Sequence, residues 1–437
     1  MPTLQPSHLP SHSSVAIVGG GQAGLSLSHH LQQRGIDHVV LEKNRAMHTW
    51  QTQRWDNFCL VTPNWQCQLP GHPYSGTDPH GFMKKDEINA YLMGFREKVD
   101  APLIEGITVR RMAPRSAAIG GGFSVSTSAG DCTADQVVVA GGGYHLPIIP
   151  RLAERLPAGV AQVHSEQYRN AAMLPNGAVL VVGSGQSGTQ IAEDLHLAGR
   201  KVHLAVGHAP RCARFYRGKD VVDWLADMRY YDMPVHEHPL REGVRDNTNH
   251  YVTGRDGGRD IDLRRFAKEG MELYGVLQSL QGATLQFAPD LAQSLDEADQ
   301  IYNGINTSID KYIEKHGITT TEPASVYTPV WVPAEERTTL DLAAAGITSI
   351  IWCIGFQPDF QWVEAPVFDG RGHPGHVRGV TQQPGLYFLG LPWLYTWGSG
   401  RFSGVARDAL YLAEKIDALR LREEAPSGRE VDVPAYS

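Results

Sequence analysis

Apolar residues in this chain fall into short runs, and several of the runs end in glycine. The first is Val15–Val18, followed at once by Gly19-Gly20-Gly21-Gln22-Ala23-Gly24. Beyond the glycines the apolar spacing lengthens to Leu25, Leu27 and Leu31. This change of period predicts a strand, a tight turn and a helix. His38–Glu42 predicts a second strand that closes on an acid. The succession returns about 160 residues later: Ala178–Val182, then Gly183-Ser184-Gly185-Gln186-Ser187-Gly188, then Ile191, Leu195 and Leu197 at helical spacing, then a strand within Lys201–His208. Ile107–Met112 and Phe123–Thr127 predict a small antiparallel patch. Gln136–Gly143, Ser349–Phe356 and Gly385–Leu391 predict strands that meet glycine. Helices are predicted to open at Asp86 and to cover Ile261–Leu280, Leu295–Ile313 and Arg401–Leu421, with Thr284–Phe287 a strand.

Gly19, Gly21 and Gly24 fit the pattern G-x-G-x-x-G, as do Gly183, Gly185 and Gly188. The first glycine permits the turn, the second lets backbone approach a pyrophosphate, and the third lets helix pack on strand. The helix N-terminus, here Gln22-Ala23 or Gln186-Ser187, offers free N–H groups to the phosphates. Two copies imply two dinucleotide sites. At the first, Glu42, followed by Lys43, stands where a carboxylate accepts hydrogen bonds from a ribose diol. The second copy has no such acid. Arg211, Arg214 and Arg217 follow instead, and arginine can pair a 2′-phosphate. The second site is therefore expected to prefer NADPH, through Arg211 or Arg214.

The chain has 437 residues, too many for one ordinary core. Its 42% hydrophobic and 20% charged composition is that of a globular protein, and a net charge of −8 argues against nucleic acid as a partner. No apolar run reaches the ~18 residues of a membrane span. Residues 1–14 are polar, with three prolines, and are expected to be a disordered lead-in; the last dozen are expected to fray. The five cysteines form no C-x-x-C pair, which suggests reduced thiols and a cytoplasmic location. No metal site is assigned.

Trp50, Trp55 and Trp65 are dense enough to form either a subcore or a wall around a planar cofactor. Trp50, Arg54, Asp56, Thr62 and Asn64 are candidates near such a cofactor. About 223–332 the chain is rich in charge and aromatics and reads as a helical insertion that shapes an entrance or an interface. The N-terminal end of the last helix could face the electron-rich edge of a reduced flavin.

The order of these motifs resembles the class B flavoprotein monooxygenases: flavin-containing monooxygenases, N-hydroxylases and Baeyer–Villiger enzymes. The matching pieces are both glycine motifs, Trp50–Pro63, Ala140–Pro150 and Ile351–Phe356. His164-Ser165-x-x-Tyr168 matches part of the family's fingerprint between domains, without its upstream Phe and Gly. Arg214–Leu225 and Thr253–Gly258 resemble a bacterial branch labelled as flavoproteins of potassium transport, and within it the oxidoreductases found beside nitrilase and radical-SAM genes.

The resemblance implies an α/β fold of two Rossmann-like domains, with an NADPH domain (151–355) inserted into an FAD domain (15–150 and 356–437). It implies Gly390 at the FAD, His164, Ser165 and Tyr168 coupling the domains, and an asparagine near the oxygenation site. Asn64 is one place displaced from that position; with Arg54 and His164 it completes the catalytic candidates. The implied activity is reduction of FAD by NADPH, addition of O2 at flavin C4a, and oxygen transfer to a small, nitrogen-containing metabolite in a biosynthetic or nitrile-related pathway. Dimers are common in the family. Two alternatives stay open, an NADPH oxidase that releases peroxide and a non-catalytic redox module. A disulfide reductase would need a cysteine pair.

Overall fold

The computed structural model describes residues 8–424 except 117 and 119. The expected C-terminal fraying and the first seven residues of the expected lead-in lie outside the described residues. The lead-in is corrected in part, because the first strand begins at His12 and pairs along Thr133.

In chain order the first unit contains β1 (His12–Val18), α1 (Gln22–Gln33), β2 (His38–Glu42), α2 (Lys85–Val99), β3 (Leu103–Glu105), β4 (Val109–Pro114), β5 (Phe123–Thr127) and β6 (Gly130–Val139). A second unit follows: β7 (Ala161–His164), β8 (Ala178–Val182), α3 (Gln186–Leu197), β9 (Val202–Ala205), β10 (Glu272–Tyr274), α4 (Leu291–His316) and β11 (Ile347–Trp352). The chain then returns to the first unit with β12 (Leu386–Phe388) and α5 (Val405–Glu424).

The first sheet runs β12-β6-β1-β2-β3 in parallel, extended beyond β12 by two short antiparallel strands, while β4 and β5 fold as antiparallel strands against β6. The second sheet is parallel throughout, in the order β7-β11-β8-β9-β10. β8 is buried at every position, which is why it reads as an unbroken apolar run. α1, α2 and α5 cover one face of the first sheet with Leu25, Leu31, Leu92, Phe95, Leu412 and Ile416. The two crossings between units, Leu146–Pro147 and Phe356–Gln357, pair with each other as antiparallel strands. No helix among the described residues is long and apolar enough to cross a membrane.

The insertion departs from expectation. Only Leu263–Lys268 of the expected Ile261–Leu280 helix is helical. Gly270, at φ +106°, stops it, and Glu272–Tyr274 becomes the edge strand β10. Leu277–Gln281 then pairs with Thr284–Phe287 in a hairpin. The apolar residues that matched one helical period are shared between a short helix and two strands, because Gly270 at positive φ turns the chain where the helix ends.

Candidate functional site

The two glycine turns have the same construction. A Cβ on Gly19 (φ +120°) would lie 2.6 Å from the Ala140 carbonyl oxygen, and one on Gly183 (φ +102°) 2.6 Å from that of Cys353. A Cβ on Gly24 would lie 1.9 Å from the Gly19 oxygen, and one on Gly188 1.9 Å from the Gly183 oxygen. These four glycines hold helix and strand together. The middle glycines differ: a Cβ on Gly21 would meet nothing within 4 Å, and one on Gly185 only the Thr248 methyl at 3.4 Å. Both have negative φ. Packing does not require them to be glycine. A ligand that approaches the backbone does, and a Cβ would fill its place.

α1 and α3 have neither a side-chain cap nor an acid in the first turn, so their N-terminal N–H groups and positive dipole ends remain available to an anion. Ala23 meets Gly390, whose φ of +81° lets the chain pass where a Cβ would be 2.7 Å away. Glu42 is partly buried at the end of β2, accepting from the Gly20 N–H at 2.7 Å and the Asn44 N–H at 2.8 Å, and Lys43 beside it is exposed. Ser187 is exposed at the start of α3, and Thr62 is partly buried in the loop before Pro63.

The cradles are bridged. Gln186 donates to the Val252 carbonyl at 2.7 Å, and Thr248 stands over Gly185. Asn249, between them, accepts from Arg401 at 2.8 Å. Arg401 follows Gly400, whose carbonyl accepts from Gln22 at 3.5 Å. Gln22 also accepts from Trp50 Nε1 at 3.2 Å. Residues 248–252 thus join the second cradle to the first.

Several candidates take other roles. Arg211 and Arg214 are 2% and 1% exposed. Arg211 pairs with Asp299 at 3.0 Å and Asp262 at 3.5 Å, with its guanidinium 3.9 Å from the centre of the Tyr327 ring. Arg214 pairs with Asp220, donates to the Val61 carbonyl at 2.6 Å and stacks on Phe82. The expectation that either holds a 2′-phosphate is corrected: both guanidiniums are buried and already neutralised, and release would strand buried carboxylates. The exposed cation at the tip of β9 is His208 when protonated, 3.2 Å from Glu297.

Asn64 is 4% exposed, and both ends of its amide serve backbone, donating to the Asp78 carbonyl at 2.9 Å and accepting from Met83 N–H at 2.7 Å. It braces the loop at 78–83, which corrects its assignment to oxygen chemistry. The tryptophans separate. Trp50 faces the first cradle, Trp55 is buried in the second unit's core, and Trp65 donates to Asp223 at 2.6 Å. His164, 1% exposed, holds the Gly355 carbonyl at 3.1 Å, beside Phe356 at the crossing between units. Burial lowers its pKa. An imidazole fixed to backbone positions the crossing, which corrects the place of His164 among the catalytic candidates. Tyr168 donates to Asp194 at 2.7 Å, and Asp194 also receives Asn57 at 2.8 Å and Arg255 at 2.9 Å. This buried carboxylate ties the first unit's loop, α3 and the insertion together.

Arg54 lies partly buried over Trp50 and Phe58, and among the described residues its hydrogen bond goes to the Gln53 carbonyl. Burial brings its pKa down to about 10. The sequence reading missed Asn249, Arg401 and Asp194. The Gly398-x-Gly400 turn before α5 marked Arg401's neighbourhood, but nothing local marked its partners.

Comparisons with known proteins agree with this architecture. The model of the pyridine nucleotide-disulphide oxidoreductase family matches residues 16–230. An oxidoreductase of Geobacillus kaustophilus described as CzcO-like is 31% identical over 409 residues, 92% of this chain and 97% of that one. An Arabidopsis thaliana protein described as a probable indole-3-pyruvate monooxygenase, YUCCA4, is 28% identical over 44% of this chain and 46% of its own. Among solved structures, a flavin-containing monooxygenase from Stenotrophomonas maltophilia superposes with a TM-score of 0.64 at 18% identity, covering 94% of this chain and 99% of that one. The likeness to the Geobacillus protein spans nearly the whole of both chains, and the protein belongs to the CzcO-like oxidoreductases of the flavin-dependent monooxygenase-like superfamily.

Proposed function

We propose that the protein is an NADPH-dependent flavoprotein monooxygenase, with FAD held at Gly19–Gly24 and NADPH at Gly183–Gly188. The observation that carries this reading is the bridge from Gln186 and Val252 through Asn249 and Arg401 to Gly400 and Gln22, which sets two uncapped helix N-termini beside one another. Once bound, the pair supplies hydride transfer from NADPH to FAD and activation of O2 by the reduced flavin.

The chain's own residues supply the rest. The α1 and α3 N–H groups take the two pyrophosphates, and Glu42 has carboxylate lone pairs left for a ribose diol. Trp50 and Phe58 present apolar surface that excludes water from the cleft. The Asp194 knot and the His164 contact hold the units in one relative orientation, which would orient the two cofactors toward each other once bound. A small metabolite that contains nitrogen, and O2, are the co-substrates in this reading. Support for the substrate comes from the family resemblance, together with the indole-3-pyruvate in the name of the YUCCA relative.

The test is the yield of hydrogen peroxide per NADPH consumed by the purified yellow protein, over a panel of small amines and 2-oxo acids. A compound that lowers the peroxide yield while it is itself oxygenated supports the monooxygenase. One peroxide per NADPH with every compound would make the protein an oxidase.

A further inference from the structure

The two glycine cradles differ in what stands over the middle glycine. Over Gly21 no described residue comes within 4 Å of an added Cβ. Over Gly185 one side chain does: the methyl of Thr248 would lie 3.4 Å from that Cβ. Thr248 belongs to the insertion, far along the chain from the turn that it covers. A group that approaches the Gly185 backbone from this side therefore comes into contact with Thr248.

Neighbours along the chain fix the place of Thr248. Before it, Asp246 pairs with Arg371 at 3.0 Å. After it, Asn249 accepts from Arg401 at 2.8 Å, the Tyr251 N–H donates to the Pro210 carbonyl at 2.9 Å, and the Val252 carbonyl accepts from Gln186 at 2.7 Å. Tyr251 and Val252 are buried, whereas Thr248 itself is exposed. The strap is held on both sides of Thr248, and that one side chain is presented to the turn.

The hydroxyl of threonine shares its Cβ with the methyl, and a turn of about 120° in χ1 exchanges the two. A hydroxyl donates one hydrogen bond and accepts others. Among the described residues the Thr248 hydroxyl has no hydrogen-bond partner. Other polar side chains at the turn are committed. The Ser184 hydroxyl accepts from the Gly207 N–H at 3.0 Å and donates to the Gly207 carbonyl at 3.3 Å, and Gln186 serves Val252.

We propose that Thr248 is the clasp of the second cradle, its hydroxyl donating to the pyrophosphate of the dinucleotide that lies along Gly185 and the α3 N–H groups. The insertion then grips the cofactor together with the glycine turn. This rests on the assignment of NADPH to Gly183–Gly188 above and adds a residue to that site. Because the pyrophosphate is common to NADPH and NADH, the clasp strengthens both and does not choose between them. FAD at the first cradle is untouched by it.

The test uses the oxidised holoprotein with NADP+ and with NAD+, which bind without reducing the flavin. Dissociation constants are read by titration calorimetry, and flavin content and the melting temperature without added nucleotide are measured for every variant. Thr248→Val keeps the shape and removes the hydroxyl. It should weaken NADP+ and NAD+ by the same factor, about ten-fold or more. Thr248→Ser keeps the hydroxyl and should recover most of the loss. Both variants should keep their flavin and melt with the wild type, because the residue is exposed.

A Thr248→Val protein that binds both dinucleotides like wild type, or a Thr248→Ser protein as weak as Thr248→Val, would overturn the clasp and leave the cradle's assignment standing. A loss for NADP+ alone would overturn it too, by placing Thr248 at the 2′-phosphate, and so would a loss that comes with a lowered melting temperature or missing flavin. A flavin-replete wild type that binds neither dinucleotide would sink the assignment of NADPH to this cradle, and the clasp with it.

Discussion

Gly21→Ala separates a glycine kept for a ligand from one kept for packing. At Gly21 the backbone has φ −83° and ψ −172°, open to any residue, and the added Cβ meets nothing within 4 Å. The folded apoprotein should therefore tolerate alanine, and its melting temperature should stay within a degree or two of wild type. The methyl occupies the line along which a pyrophosphate reaches the α1 N–H groups. Displacing the phosphate weakens one or two charge-assisted hydrogen bonds, or about 2–4 kcal/mol together. FAD affinity should fall about 30- to 700-fold. Gly24→Ala is the contrast. Its Cβ would lie 1.9 Å from the Gly19 oxygen, so relief needs about 1 Å of helix movement, and α1 is buried along Ala23–Ser28. Overpacking of that kind costs about 1–3 kcal/mol and should lower the melting temperature even without FAD. The assays are thermal unfolding of the apoproteins and fluorescence titration with FAD. A Gly21→Ala protein that binds FAD like wild type, or that melts as low as Gly24→Ala, would refute the reasoning.

Other expectations follow from the same geometry. Glu297 puts negative charge at the tip of β9 beside His208, where a 2′-phosphate would approach, so Glu297→Gln should favour NADPH over NADH by about two- to five-fold; equal improvement for both cofactors would remove this role. Asp194→Ala leaves Arg255 and the buried Tyr168 hydroxyl without their acceptor and should cost about 3–5 kcal/mol in urea unfolding. Burial lowers the His203 pKa from 6.5 to about 4. The unfolded chain then takes up the proton first, so this contribution to stability is complete above pH 6.5 and is lost as pH falls toward about 4. His203→Gln should flatten that part of the stability profile, and an unchanged profile would exclude His203 as a source.

Both strand–turn–helix units could be read from the sequence because their cause is local: three glycines and the switch in apolar period lie within a dozen residues. β2 and β8 fall on the expected residues for the same reason. The insertion was less readable, since Leu263–Leu277 carries apolar residues that suit a helix or two strands, and the choice depends on β9 offering β10 an edge. The arginines were harder still. Arg211, Arg214, Arg54 and Arg401 look alike in sequence, and what distinguishes them is the carboxylates that the fold brings up, Asp262 and Asp299 to Arg211 and Asp220 to Arg214, while the others are left to Trp50 and Trp397. Asn64 likewise matched a family position closely enough to attract a role, while its amide is held by Asp78 and Met83.

The central claim is that two adjoining cradles pass electrons from a nicotinamide nucleotide to a flavin. Anaerobic titration of the purified holoprotein with NADPH tests it most directly, read at the flavin absorbance for wild type and Gly185→Ala. The account predicts full bleaching of wild type by one equivalent, and a Gly185→Ala protein that keeps its flavin but bleaches only at far higher NADPH. A protein that carries its full complement of flavin and stays yellow with excess NADPH and with excess NADH would contradict it.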